Sequence, residues 1–582
     1  MPMSLRPCLL LLLLLWLTAC ATTDIPAGKC PADRQPLQNC PPLEAIDDPY
    51  INEWYRIRSE MTAEEIGQDP LEMAIEAEMP VKSARAKLLG SSEADAIRSL
   101  TAKVHMIENA EHSVDLVYYI FKDDLAGRAL LGALCGAVQR GVDVRLMVDS
   151  LGSISLDKTW LRTLHSCQVD AGFIRNENGQ VTTRRARAQV LVFNAVTKSP
   201  FTINRRSHDK LMVVDGFVPE KTIVITGGRN ISLSYYGILA DGSPNPDTYK
   251  DMEIVLRTGE YQDVKNTVGR VSEVYFSLLS LHGVNKRLVS KQFVTGTDLY
   301  SGRRDQLAEA LAQLKSIERL RPYFAEMPAF FAEGWHDAEV QLAHEMANLT
   351  NQTVITDAVG NLSNNPNSIM FQLEQARDLD RSHSRVVSPY LFLARYYDKD
   401  GELVLDEAQR ILEWLAEDPD HRYEMITNSV LTSDNFPAQS IVDMDMAPRM
   451  LLDRKHKKAW QGDLEEGELN AELVESEAWQ ALINHPQLFI YETGRNDDVF
   501  LGGDKHYGKL HSKYLVGDHY GFVGTANFDY RSRLFNNEMG FFFVSPGLRQ
   551  DLIADFELLK SESYRWGTRG WLQMRRQIME QG

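Results

Sequence analysis

Three things are scarce in this chain, and each scarcity removes a class of function. Positive charge comes first: 62 Lys and Arg face 81 Asp and Glu, a net charge of −19. Proteins that grip nucleic acid along its backbone do so largely by neutralising phosphates with Lys and Arg, so this balance argues against nucleic acid as a partner. It does not favour anionic lipid either, and any attraction to phosphate must be local. Long apolar runs are scarce too. Residues 8–17 form one that is too short to span a bilayer. Cysteine is the third: there are six, with no CxxC pair and no HExxH motif. His506, His511 and His519 are loosely spaced, so no metal site is expected.

The short apolar run follows Arg6 and closes on Leu17-Thr18-Ala19-Cys20. It has the length of a signal h-region, and its end resembles a bacterial lipobox, in which the cysteine is acylated and becomes the first residue. Residues 1–19 are therefore expected to be a lipoprotein signal and Cys20 the lipid attachment point. Several acyl chains on one residue give stable anchoring where a single chain is marginal. With Ala21 next to Cys20, Gram-negative sorting by analogy directs the protein to face the periplasm from the outer membrane rather than the inner. Cys30 and Cys40 in the Pro-rich tether are expected to form a short-loop disulfide. Cys135 is expected to be core and Cys167 unpartnered.

What is present is a pattern that occurs twice. Residues 208–215 and 511–518 both read H-x-K-x4-D, each on an apolar run that looks like a strand. The surroundings repeat as well. Asn230 follows His208 by 22 residues and Asn527 follows His511 by 16, the difference fitting the longer loop at 217–222. Asp251 and Glu538 each open a further apolar strand. Upstream, 116–121 matches 387–392 and 144–149 matches 424–429. Each copy thus reads strand, helix, strand, strand carrying His and Lys, strand ending in Asn, acid-led strand. At 582 residues, 44% hydrophobic and 25% charged, the chain suits two folded lobes. Between them, 291–380 reads mainly as helix, with Leu307, Leu311, Leu314, Ile317 and Leu320 at helical spacing.

The repeated residue types suit phosphodiester chemistry. Attack and departure occur on opposite sides of phosphorus, so one group must serve as nucleophile and another as acid. An imidazole with a pKa of about 6.5 can be either. Lys210 and Lys513, two residues after each His, point to the same side of their strands and can neutralise one phosphate without a metal or other cofactor. Asn230 and Asn527 can donate amide hydrogen bonds to the same oxygens. Asp251 and Glu538 are each expected to bond the far nitrogen of their own lobe's His. Asp215 and Asp518, seven residues on, face away from the His, and a structural role near the turn is expected for them. Arg184, Arg185, Arg187, Lys198, Arg205 and Arg206 lead into His208, either as a solvated basic loop or as a site for head groups.

These residues resemble the phospholipase D superfamily, whose signature is the duplicated H-x-K-x4-D, and within it the cardiolipin synthase-like branch. The resemblance rests also on 204–208, 227–231, 524–532 and 536–538. It implies an α/β fold of two pseudo-symmetric lobes, each a mixed β-sheet flanked by helices, with the active site at their interface. The lobes are expected at 85–290 and 381–582, joined by a helical connector at 291–380. A tether and N-terminal segment fills 20–84, and a helical insert lies near 450–484. The family's route is ping-pong: His208 attacks phosphorus, His511 protonates the leaving alcohol, and a second hydroxyl displaces the phosphohistidine. The two roles can also be reversed. The partners expected are a phospholipid substrate and a membrane surface; no pattern points to a protein partner. If the second hydroxyl belongs to phosphatidylglycerol the product is cardiolipin. If it is water, the chain is a hydrolytic phospholipase D; a nuclease is the other alternative, and a catalytically inactive scaffold the last.

Overall fold

The computed structural model describes residues 40–58, 79–198, 203–245, 247–260, 266–290, 293–294, 297–350, 357, 359–360, 365–373, 382–465, 470–495 and 509–581. One sheet organises them. In chain order its strands are β1 (Pro80–Leu89), β2 (Ser113–Tyr118), β3 (Asp143–Asp149), β4 (Ala188–Phe193), β5 (Lys210–Val214), β6 (Ile223–Gly227), β7 (Glu253–Thr258) and β8 (Lys286–Arg287). The second half supplies β9 (His336–His344), β10 (His383–Val387), β11 (Arg422–Thr427), β12 (Leu488–Thr493), β13 (Tyr514–Val516), β14 (Gly521–Gly524), β15 (Met539–Val544) and β16 (Ser563–Arg565). Their spatial order is β8-β4-β3-β2-β5-β6-β7-β1-β9-β15-β14-β13-β10-β11-β12-β16.

That order is a palindrome of two repeats. In each, three strands run parallel (β2, β3, β4 and β10, β11, β12). The strand that follows the His then pairs antiparallel with the first of the three (β5 on β2, β13 on β10). The repeats meet where β1 and β9 pair antiparallel. β9 lies inside the stretch expected to be helical. Its sequence carries a period of two that the longer helical signals around it obscured: Ala338, Val340 and Leu342 are buried while Asp337 and Glu339 face out.

β2, β3 and β5 are buried along their whole length, as strands covered on both faces must be. One face of lobe 1 is covered by helices Glu93–Asn109 and Leu125–Arg140, and the connector helix Ser301–Ser316 packs on the latter. Gly132 permits that contact, because a Cβ there would lie 2.2 Å from the Leu307 carbonyl. Leu307, Leu314 and Leu320 are buried as their spacing predicts. On the other face a single apolar core runs through both lobes, joining Leu211, Val224 and Ile254 to Val387, Tyr514 and Phe541. The lobes therefore share one interior.

The segment read as a tether also contributes. Helix Pro49–Ile57 buries Ile51, Trp54 and Tyr55. Arg58 just beyond it is buried against Asp115 (2.8 Å), Asp143 (2.9 Å) and Glu273 (2.6 Å). Cys135 and Cys167 form a disulfide, which corrects the expectation that neither has a partner. The two lie on facing helical segments, a proximity that a separation of 32 residues does not reveal. Cys40 is disulfide-bonded as well; Cys30, the signal and Cys20 lie outside the described residues. Among the described residues no helix is long and apolar enough to cross a membrane.

Candidate active site

His208 sits two residues before β5 and His511 three residues before β13; both strands and both histidines are buried. Two short ladders tie them across the lobe boundary. Ser207 bridges Asn537, and the His208 N–H donates to the Asn537 carbonyl at 2.8 Å. Tyr249-Lys250 pairs with Lys509-Leu510 in parallel, and the His511 N–H donates to the Lys250 carbonyl at 2.8 Å. In each ladder the next residue along is an acid facing a histidine of the other lobe. Glu538 Oε2 lies 2.9 Å from His208 Nδ1, and Asp251 Oδ2 lies 2.7 Å from His511 Nδ1.

The pairs are crossed, which corrects the expectation that each carboxylate serves its own lobe's His. The register of the two interlobe ladders decides it, and strand patterns within one lobe carry no information about that register. Both histidines keep Nδ1 occupied, which leaves Nε2 for chemistry.

The carboxylates are held differently in the two halves. Glu538 accepts from Thr525 Oγ1 (2.7 Å) and Ser532 Oγ (2.6 Å). Asp251 accepts from the Met252 N–H at 2.8 Å. Where Thr525 stands in lobe 2, lobe 1 has Gly228, and a Cβ there would fall 1.9 Å from Asp251 Oδ1. Both carboxylates are shifted below their ordinary values: burial pushes them up, but the facing His and Lys outweigh it.

Lys210 and Lys513 are buried, and each Nζ donates to the carbonyl of its own His, at 2.7 Å for Lys210. Burial lowers Lys210 to about 7 and Lys513 to about 8, partly offset by Glu538 and Asp251. Burial also lowers His208, and His511 to about 4. His208 feels the charge of Lys513, and His511 that of Lys210, so all four groups share one electrostatic environment. The two lysines and the two carboxylates balance one another within this buried cluster, and a bound phosphoryl group would raise the proton affinity of both lysines and both imidazoles.

The remaining expected residues divide. Asn230 accepts from the Ile120 N–H at 3.0 Å and donates to Tyr235 Oη at 2.9 Å, so half of its amide is committed to the fold. Asn527 is nearly buried and its Oδ1 has no hydrogen-bond partner. Asp215 accepts from the backbone of Glu111, His112 and Ser113, and Asp518 from that of Ser382 and His383. Each anchors the entry to a neighbouring strand, away from the histidines.

The basic stretch is neither a solvated loop nor a free cation cluster. Arg206 is buried on Asp149 (2.7 Å), Arg187 pairs with Asp143 (3.0 Å), and Arg184, Arg185, Lys198 and Arg205 bond to neighbouring polar groups. His506 lies outside the described residues and His519 is exposed.

Sequence reasoning missed the aromatic walls. The Tyr119 ring meets His208 edge-on at 4.7 Å. Tyr235 and Tyr249, stacked at 4.4 Å, meet His511 edge-on at 5.2 and 5.3 Å. The only available signal was Tyr119 and Tyr390 recurring in the matched upstream strands.

With this geometry in view, the comparisons with known proteins fall into place. Residues 104–238 match the family described as "Cardiolipin synthase, PLD-like domain". The chain is 31% identical over 187 residues to cardiolipin synthase C of Escherichia coli and 30% identical over 196 residues to a cardiolipin synthase of Geobacillus. These alignments cover 30% and 33% of this chain, and it spans only 32% and 31% of those relatives' lengths. Among solved structures, a phosphatidylserine synthase of Haemophilus influenzae aligns with 86% of this chain and 91% of its own, at 13% identity and a TM-score of 0.48.

Proposed function

Since this chain belongs to the phospholipase D superfamily, in its cardiolipin synthase-like branch, we propose that it is a phosphatidyltransferase that works through a phosphohistidine and makes cardiolipin from phosphatidylglycerol. The observation that carries this reading is the crossed arrangement: His208 on Glu538 and His511 on Asp251, with Lys210 and Lys513 each bonded to the carbonyl of its own His.

In this reading the lysines take the charge of a phosphatidyl phosphate, and Asn527 and the free N–H of Asn230 hold its oxygens. One Nε2 attacks phosphorus while the other imidazole gives its proton to the departing alkoxide. An incoming hydroxyl then loses its proton to that imidazole and displaces the phosphohistidine. Asp251 and Glu538 fix the tautomer and stabilise the imidazolium as it forms.

We place the protein on a membrane facing the periplasm, anchored through Cys20. The Cys135–Cys167 disulfide supports an oxidising compartment.

Purified protein with phosphatidylglycerol vesicles should yield cardiolipin and glycerol, and His208→Ala or His511→Ala should abolish both products. Phosphatidic acid as the sole product would replace synthesis with hydrolysis. Cleavage of plasmid DNA without lipid turnover would reject a lipid substrate. Lipid anchoring is tested separately, by loss of membrane fractionation in Cys20→Ala cells.

A further inference from the structure

The two half-sites are duplicates, yet their rims differ in charge at one position. After β3, residues 150–154 lie under Tyr119, where Ser153 Oγ donates to the Tyr119 carbonyl at 2.9 Å. After β11, residues 430–434 lie beside Tyr390, the lobe-2 counterpart of Tyr119. The two loops read Ser-Leu-Gly-Ser-Ile and Val-Leu-Thr-Ser-Asp. The position that holds Ile154, 76% exposed, on the His208 side holds Asp434 on the His511 side.

Asp434 is an exposed carboxylate at the mouth of a site built for anions. Tyr390 Oη donates to its Oδ1, and Tyr249 Oη approaches its Oδ2 at 3.5 Å. Its charge reaches Lys513 and Tyr235. The other acids acting on Lys513 are Asp251, Glu538 and Asp529, all buried. A carboxylate there repels the phosphate, so its use must lie with whatever is attached to the phosphate. Two phenols that can both donate and accept, with carboxylate lone pairs between them, fit the hydroxyls of a polyol. An ammonium fits less well. Lys509 already stands 5.3 Å over the Tyr249 ring, and Lys513 adds a second positive charge.

We propose that Asp434, with Tyr249 and Tyr390, is the subsite for the alcohol that leaves and the alcohol that enters, and that it selects a neutral polyol such as glycerol or a glycerol head group. The proposal rests on the phosphatidyltransferase reading above and favours the family's assignment of the two histidines over the reverse. The alcohol lies on the His511 side, so His511 is the acid and base and His208 the nucleophile. As the P–N bond to His208 forms, the P–O bond of the leaving alcohol breaks and its oxygen takes the proton of His511. On return the entering hydroxyl gives its proton to His511, its oxygen bonds phosphorus, and the N–P bond breaks.

The test uses the full-length protein, phosphatidyl-p-nitrophenol in mixed micelles and a series of glycerol concentrations. The readout is the ratio of phosphatidylglycerol to phosphatidic acid, which does not depend on how much enzyme is folded. Asp434→Asn and Asp434→Ile should each lower that ratio about 10-fold at equal glycerol, the loss of one bond to a charged acceptor. Asp434→Glu should restore it to within about threefold. A parallel series with ethanolamine should give a lower wild-type ratio than glycerol. A ratio for Asp434→Asn within about twofold of wild type overturns the proposal, as does a loss confined to ethanolamine. Labelled phosphorus found on His511 in enzyme quenched with denaturant at alkaline pH, where the P–N bond survives, overturns the orientation. If wild type forms no lipid product, the phosphatidyltransferase reading itself fails, an outcome distinct from a normal wild-type ratio that Asp434→Asn leaves unchanged.

Discussion

Crossed pairing makes a quantitative claim that can be tested without any substrate. Each imidazole donates from Nδ1 to a buried carboxylate, at 2.9 Å for His208 and Glu538 and 2.7 Å for His511 and Asp251. A hydrogen bond to a charged group contributes about 1.5–3 kcal/mol. Neither His hydrogen-bonds the acid of its own lobe, so same-lobe coupling runs only through the shared charges of Lys210 and Lys513. Urea unfolding of His208→Ala, Glu538→Gln and the double variant should therefore return a coupling energy of about 1.5–3 kcal/mol. The cycle of His511→Ala with Asp251→Asn should do the same. The same-lobe cycles, His208→Ala with Asp251→Asn and His511→Ala with Glu538→Gln, should give clearly smaller values than the crossed ones. The two crossed cycles should also differ. The Thr525 carbonyl lies 3.2 Å from His208 Nδ1 and can accept when Glu538 is lost, so the His208 pair should couple less strongly than the His511 pair. Coupling larger within a lobe than between lobes would refute the crossed arrangement and the ladder register behind it.

Gly228→Ala should push Asp251 off His511, because the new Cβ would stand 1.9 Å from Oδ1; we expect at least about 100-fold less turnover, with the fold intact by circular dichroism. Sulfate, whose own charge is constant from pH 6 to 9, should bind the free site less tightly as pH rises. Lys210 and Lys513, lowered by burial to about 7 and about 8, lose their protons in that range. Calorimetry should show a fall of about 10-fold between pH 6.5 and 8.5, and a flat profile would remove the lysines from anion binding. Arg58→Ala leaves Asp115, Asp143 and Glu273 with less compensation in the interior, and urea denaturation should show a loss of about 3–5 kcal/mol. A change under about 1 kcal/mol would mean that helix Pro49–Ile57 and its following arginine contribute little to the fold.

The doubled motif, the strand types around it and the burial of β5 were legible in the chain, because side-chain periodicity and local spacing are properties of a few consecutive residues. His208, Lys210, His511 and Lys513 were singled out that way, and the expectation that Asp215 and Asp518 face away from the histidines follows from their parity along a strand. β9 was within reach in the alternation of 336–344, but longer helical signals masked it. Other features had no local signal. Nothing near Cys135 points to Cys167, and nothing near Arg58 shows that its charge is buried among Asp115, Asp143 and Glu273. Arg206 looks like a surface cation until Asp149 is placed beneath it.

What the amino-acid order determined by itself is the repeat: two sets of His, Lys, Asn and acid, each carried on strands of its own lobe. Which acid serves which histidine was settled only in three dimensions, where Ser207 meets Asn537 and Lys250 meets Leu510. The physical reason is that a repeat specifies its own strands through contacts within the lobe. The register between two repeats depends on backbone hydrogen bonds and a shared core that neither repeat contains alone.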